Sequence, residues 1–223
     1  MMGLLQDIWQ GRGRGQPRFR DQLGRRVALS KLLRNGPRAF LTGLSRKFLK
    51  KRPERPWISY HAAEAIERHI DKTSRVLEFG SGMSTAWYAA RAGHVLSIER
   101  NAEWFAEVSL RLASLENAEL RLCETREAYL AIEDHRQFDL IMIDGAWRDD
   151  CARLATQHLA PGGVIYCDNT DKQGGFSGDL AEARRLLIAF AEERGLPWTE
   201  ITDFAPTQFF VERALWVGPN APR

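Results

Sequence analysis

The 223-residue sequence is poor in cysteine: Cys123, Cys151 and Cys167 are its only three, and none forms a CxxC or CxxH pair. That spacing offers no cysteine-based metal motif, and the thiols read as reduced, mostly structural residues of a cytoplasm-like compartment. Long apolar runs are also missing, since none approaches the roughly 18 residues of a membrane-spanning helix. The opening MMGLLQDIWQGRGRG has neither the apolar core nor the cleavage site of a signal peptide. The expectation is a cytoplasmic protein, soluble or peripheral at a membrane. Acidic residues are scarce at the start, where residues 1–55 hold 15 Lys or Arg against 3 Asp or Glu. A net charge of +3 therefore conceals a basic arm on an acidic body.

The length and a hydrophobic content of 44% suffice for one substantial core plus an appendage. We read residues 1–55 as a basic N-terminal arm and 56–223 as one α/β domain. Gly11 to Arg25 is rich in glycine and arginine and lacks periodicity, which predicts disorder. Between 26 and 52, Leu29, Leu32 and Leu33, then Phe40, Leu41, Leu44, Phe48 and Leu49 recur at helical spacing among cations. Asn35-Gly36-Pro37 interrupts them, predicting two short basic amphipathic helices. An arm of this kind suits an anionic membrane surface or a protein partner. Nucleic acid is a weaker alternative, because no RNA-binding motif follows the arginine-glycine segment.

After a helix over Ala62 to Ile70 the pattern becomes a strand-helix alternation. Strands are predicted at Arg75 to Phe79, His94 to Glu99, Ala118 to Cys123, Phe138 to Asp144 and Gly163 to Asp168, with spacing enough for parallel crossovers. Asp179 and Glu182 form a capping box ahead of an amphipathic helix that Gly195 and Pro197 stop. Trp198 to Phe204 and Gln208 to Val217 are joined by too short a link for a crossover and should pair antiparallel. The fold class is α/β: a doubly wound, mostly parallel seven-stranded sheet with a C-terminal antiparallel hairpin.

Ligands of such sheets sit beyond the carboxyl ends of the strands. The first strand ends in Glu78-Phe79-Gly80-Ser81-Gly82, whose glycines let backbone approach a ligand, while the helix opening at Ser84 favours a ligand carboxylate or phosphate. The second ends in Glu99, followed by Arg100, where a carboxylate can accept from a ribose diol. A dinucleotide and S-adenosylmethionine both fit this pair of strand ends. Thr85 stands where a dinucleotide site wants a third glycine or alanine, and Glu78 would repel a pyrophosphate but can bond an amino group. The residues favour the sulfonium ligand.

VLEFGSGMST, VLSIER, FDLIMIDG and LAPGGVIYCDN together resemble the first motif, the acidic second strand, the fourth strand and the fifth strand of the class I S-adenosylmethionine-dependent methyltransferases. The resemblance spans roughly Pro56 to Gly218. It implies that Glu78, Phe79, Gly80, Ser81, Gly82 and Ser84 follow the methionine half of the cofactor and that Glu99 and Arg100 flank the ribose. It also implies that Glu124 and Thr125 border the adenine, and that a small-molecule acceptor is methylated on oxygen in preference to nitrogen.

A finer resemblance, to O-methyltransferases with a divalent ion, implies a magnesium site at Asp144, Asp168 and Asn169. Three hard oxygen donors suit that ion. Without a metal, Asp144 would orient cofactor or substrate. Trp147 stands where catechol-type enzymes carry a lysine base, so Lys172 and His61 are the alternative candidates beside Asp144. His158 reads as a helix-end cation. Trp57, Tyr60 and Trp147 can wall a cleft, and the glycine-rich loop Asp171 to Gly178 has the composition of a lid. Two further readings stay open at this point. One is aminopropyl transfer with Asp144 as base; the other is a non-catalytic domain that docks through the arm.

Overall fold

The computed structural model describes residues 18–133, 136–172 and 178–222. Seven strands form one sheet in the order β3-β2-β1-β4-β5-β7-β6. They are β1 (Arg75–Phe79), β2 (His94–Glu99), β3 (Ala118–Leu122), β4 (Phe138–Ile143), β5 (Leu159–Cys167), β6 (Trp198–Phe204) and β7 (Val211–Val217). The first five are parallel, with Val76 opposite both Val95 and Leu140, while β7 runs antiparallel to β5 and to β6. The seven helices among the described residues are α1 (Leu29–Leu49), α2 (Tyr60–His69), α3 (Met83–Ala89), α4 (Ala102–Leu112), α5 (Arg126–Tyr129), α6 (Arg148–His158) and α7 (Leu180–Glu193).

Because successive strand residues face opposite sides, each buried strand serves two cores. Leu77, Phe79, Leu96, Ile98, Ile141 and Ile143 join α6 and α7 on one side. Val76, Val95, Leu140 and Met142 join α2 and α3 on the other. Local chemistry sets the helix starts: Ser59, Asn101 and Asp179 each accept a backbone N–H with the side chain, at Ala62, Trp104 and Glu182. Asp179 is the cap that the D-x-x-E spacing predicts.

The arm differs from the sequence expectation. A single helix runs unbroken from Leu29 to Leu49 with Pro37 inside it. Asn35 is buried and donates to both carboxylate oxygens of Asp203 at 3.0 and 2.9 Å, while Gly36 lies against the ring of Phe204. These contacts with β6 override the local preference of Asn-Gly-Pro for a turn. Residues 18–25, expected to be disordered, are placed as well. Asp21 is buried, with Arg213 at 2.8 Å and Thr202 at 3.0 Å. Residues 11–17 of that stretch lie outside the described residues. A third, small core of Val27, Ala39, Tyr60, Phe204 and Val211 fastens the arm to the hairpin.

Other differences are confined to element ends. β3 stops at Leu122, β4 at Ile143 and β5 at Cys167, leaving Cys123, Asp144 and Asp168 one residue beyond; β5 starts early, at Leu159, and β7 late, at Val211. No helix among the described residues is long and apolar enough to cross a membrane.

Candidate functional site

A cavity of about 380 Å³ opens at the carboxyl ends of β1, β2 and β4. One wall is the turn Gly80, Ser81, Gly82, Met83 and Ser84, and the others are Glu99 to Asn101 with Trp104, Asp144 to Ala146 with Tyr129, and Trp57. Gly80 has φ +98°, and a Cβ there would stand 2.7 Å from Gly145 Cα. Two glycines thus let the β1 and β4 turns touch back to back. At Gly82 an added Cβ would meet nothing nearer than Ser84 Oγ at 3.5 Å, so this backbone faces open space.

Glu99 organises the second wall. One carboxylate oxygen accepts from Ser81 N at 3.1 Å and Ser81 Oγ at 2.9 Å; the other accepts from Arg100 N at 2.8 Å and Asn101 N at 2.7 Å. Trp104 Nε1 donates to Ser81 O at 2.7 Å and sets the indole beside the turn. The four donors to Glu99 are neutral amides and a hydroxyl.

Glu78 and Phe79 are placed differently from the sequence expectation, since neither lines the cavity. Phe79 belongs to the core, 5.9 Å from the ring of Tyr129. Glu78 lies beneath the turn on the opposite face of β1, where it accepts from Ser84 Oγ, from Thr85 Oγ1 at 2.6 Å and from Ser97 Oγ at 2.6 Å. Burial pushes its carboxyl up to about 7, against the pull of the three hydroxyls. Thr85 Oγ1 also accepts from Gly82 N at 3.0 Å, so Glu78 supports the turn from below. The helix that follows, α3, has only 7 residues, and its terminus adds little to anion binding.

The ends of β4 and β5 are joined by a residue that the sequence did not single out. Arg148 is buried, and its guanidinium donates to Asp144 Oδ1 at 2.9 Å, Asp144 O at 3.0 Å, Gly145 O at 2.9 Å and Asp168 O at 2.8 Å. Asp168 takes a bond from Tyr166 OH at 2.9 Å, and burial followed by the charges of Asp144 and Glu212 lifts its carboxyl well above the ordinary range. Asn169 keeps a buried Nδ2 with no hydrogen-bond partner among the described residues. The guanidinium of Arg148 already pairs with Asp144, 2.9 Å away, where the resemblance implies a divalent ion.

The base candidates separate. Asp144 lines the cavity, with its side chain 40% exposed. Lys172 instead forms an ion pair with Glu212 of β7, Nζ to Oε1 2.5 Å. His61 lies toward β6, its Nδ1 2.9 Å from Asp203 Oδ2 and 2.9 Å from Asn35 Nδ2, and lines a separate polar groove with Arg34, Glu64 and Arg68. Glu124 is exposed, and Thr125 caps α5 through Ala128 N. Neither lines the cavity. His158 is buried and bonded to Arg136 O. Trp147 stacks edge-on against Tyr129 at 5.3 Å, and of the suggested lid 173–177 lie outside the described residues. Cys151 and Cys167 are buried free thiols, and burial pushes Cys167 up to about 12.

Met83, Asn101, Trp104, Tyr129, Gly145 and Ala146 complete the cavity without having been singled out in the sequence. The Asp144-Gly145 pair at a strand end could have signalled a close approach; the aromatic residues carry no local signature.

Residues 77–170 match a family model described as a methyltransferase domain. No curated protein matches the chain. The fold is shared with solved structures at low identity. One is the O-methyltransferase TomG from Streptomyces achromogenes, involved in tomaymycin synthesis and solved with SAM. It is 17% identical with a TM-score of 0.56, over 81% of this chain and 88% of that one. Another is an O-methyltransferase from Bacillus cereus in complex with SAH, 17% identical with a TM-score of 0.55, over 86% and 92%.

Proposed function

We propose that this chain transfers a methyl group from S-adenosylmethionine to an oxygen of a small acceptor, a reading supported by the methyltransferase-domain match over residues 77–170. The observation that carries the reading is the cavity between the glycine turn and Glu99, at the strand ends where this fold receives its ligands. S-adenosylmethionine supplies the electrophilic methyl of its sulfonium. Glu99 accepts from the ribose diol, exchanging its bond from Ser81 Oγ for ligand hydroxyls. The open backbone at Gly82 and Ser84 lies along the amino-acid half, and Trp104 and Tyr129 flank the ligand.

Asp144 faces the acceptor side, where its partly exposed carboxylate takes up the hydroxyl proton as the oxygen attacks the methyl in line, and the S–C bond breaks with its pair leaving on sulfur as S-adenosylhomocysteine. Arg148 fixes that carboxylate, and its buried charge takes the place that a divalent ion would need. The reaction proposed here therefore runs without metal. Lys172 and His61 are left outside the chemistry. The O-methyltransferases among the solved relatives support oxygen as the accepting atom. For residues 1–55 we propose a surface partner and not nucleic acid.

S-adenosylhomocysteine should bind in calorimetry, equally with and without magnesium, and Glu99→Ala should weaken it by roughly tenfold or more, the equivalent of one lost charge-assisted hydrogen bond. Absence of binding, or tighter binding of NAD, would overturn the reading.

A further inference from the structure

Helix α1 has two different sides. Asn35, Gly36 and Ala39 lie on β6 and the third core. With a helical step of about 100° per residue, Leu29, Leu33, Phe40, Leu41, Leu44 and Phe48 share an arc of roughly 120° that turns away from that contact. Leu33, Leu41 and Phe48 are 68%, 63% and 69% exposed, whereas Phe40 of the same arc leans edge-on against Phe209, 5.4 Å between ring centres. A soluble monomer seldom shows water so continuous an apolar strip.

Charge identifies what would cover it. Residues 22–53 hold ten Lys or Arg and no Asp or Glu. Lys47 borders the arc on one side and Arg34 and Arg38, which share Glu64 at 2.9 and 3.2 Å, on the other; Lys50, Lys51 and Arg52, the last paired with Glu107 at 3.0 Å, follow the helix. An apolar strip with cationic margins matches the layering of an anionic lipid surface: acyl chains under the leucines, phosphates at the arginines and lysines.

We propose that α1 docks the protein on an anionic lipid surface, lying in the interface with Leu33, Leu41 and Phe48 inserted. The last turn of the helix adjoins the cofactor cavity. The guanidinium of Arg46 is 4.9 Å from the ring centre of Trp57 and that of Arg52 is 5.5 Å from the ring centre of Trp104, and both tryptophans line the cavity. Docking therefore brings the cavity to the headgroup layer, where the acceptor is met. This specifies the surface partner proposed above, and it stands on the arm alone, so S-adenosylhomocysteine binding reports separately on the catalytic reading.

The test is co-sedimentation of the full chain with vesicles of phosphatidylcholine and with vesicles of phosphatidylcholine mixed with phosphatidylglycerol. The protein should associate with the mixed vesicles only, less tightly as salt is raised. The double variant L33S/L41S should bind them roughly tenfold more weakly or worse, while keeping thermal stability and S-adenosylhomocysteine affinity. No association with the mixed vesicles, or association that the double variant leaves intact, would overturn the proposal. A concentration-dependent dimer that the same variant dissolves would also overturn it, by assigning the arc to a second copy.

Discussion

The ends of β1 and β2 and the ends of β4 and β5 each hold two carboxyl groups, yet they accommodate them in opposite ways. At β1 and β2, neutral donors surround Glu78 and Glu99: hydroxyls of Ser84, Thr85 and Ser97 for the first, amides and the Ser81 hydroxyl for the second. At β4 and β5 a buried guanidinium clamps Asp144 and the Asp168 carbonyl, and Asp168 favours its proton. Neutral donors leave Glu99 able to exchange partners with an incoming polyol. A guanidinium leaves the other end rigid and electrically settled. One half of the rim is built to trade hydrogen bonds and the other to hold an oxygen still.

Arg148→Met should break the comparison most severely, because it strands a buried carbonyl and the Asp144 carboxylate at once. The loss of stability expected from urea unfolding is about 3–5 kcal/mol. A change below about 1 kcal/mol would mean that the guanidinium clamp is dispensable.

Glu78 gives the next largest effect, and its sign follows from burial. A carboxyl raised from 4.5 to about 7 on folding favours the folded state while protonated. That contribution is whole below pH about 4.5 and is lost as pH climbs through about 7, a fall of roughly 3 kcal/mol. Glu78→Gln should flatten this limb of the stability-pH curve. An unchanged limb in the variant would show that another group carries it, Asp168 being the nearest with the same sign.

Gly145→Ala is the mildest of the three and sharpens the geometry of the shared rim. Its Cβ would run into Tyr129 OH and stand 2.9 Å from Gly80 N, prising the two turns apart. About 1–3 kcal/mol of overpacking is expected, together with weakened S-adenosylhomocysteine binding in calorimetry. Full affinity in the variant would show that contact between the turns does not shape the cavity.

Much of this was legible because it is local. Apolar runs of five or six residues at crossover spacing gave the parallel strands, and Gly80, Gly82 and Glu99 lie at strand ends that any doubly wound sheet exposes. The direction in which Glu78 points was available from parity, since Val76 and Glu78 share one face of β1 and Leu77 and Phe79 the other. The unbroken course of α1 was not available. Asn35 and Gly36 are held by Asp203 and Phe204, more than 160 residues away, and nothing near them in the chain reports those contacts. Arg148 was hidden for the same reason: at the start of an amphipathic helix an arginine looks like a solvated cation until the β5 end folds over it.

The clasp between the arm and the hairpin also carries a consequence for biosynthesis. Asp21 and Asn35 leave the ribosome more than 160 residues ahead of Thr202, Asp203 and Arg213, to which they bind. Until β6 and β7 are made the helix has only its neighbours around Tyr60 to Glu64, and its greasy, cationic side is on offer to any surface nearby. Strands β6 and β7 then close over one side of a helix whose other side has already had time to choose its neighbour.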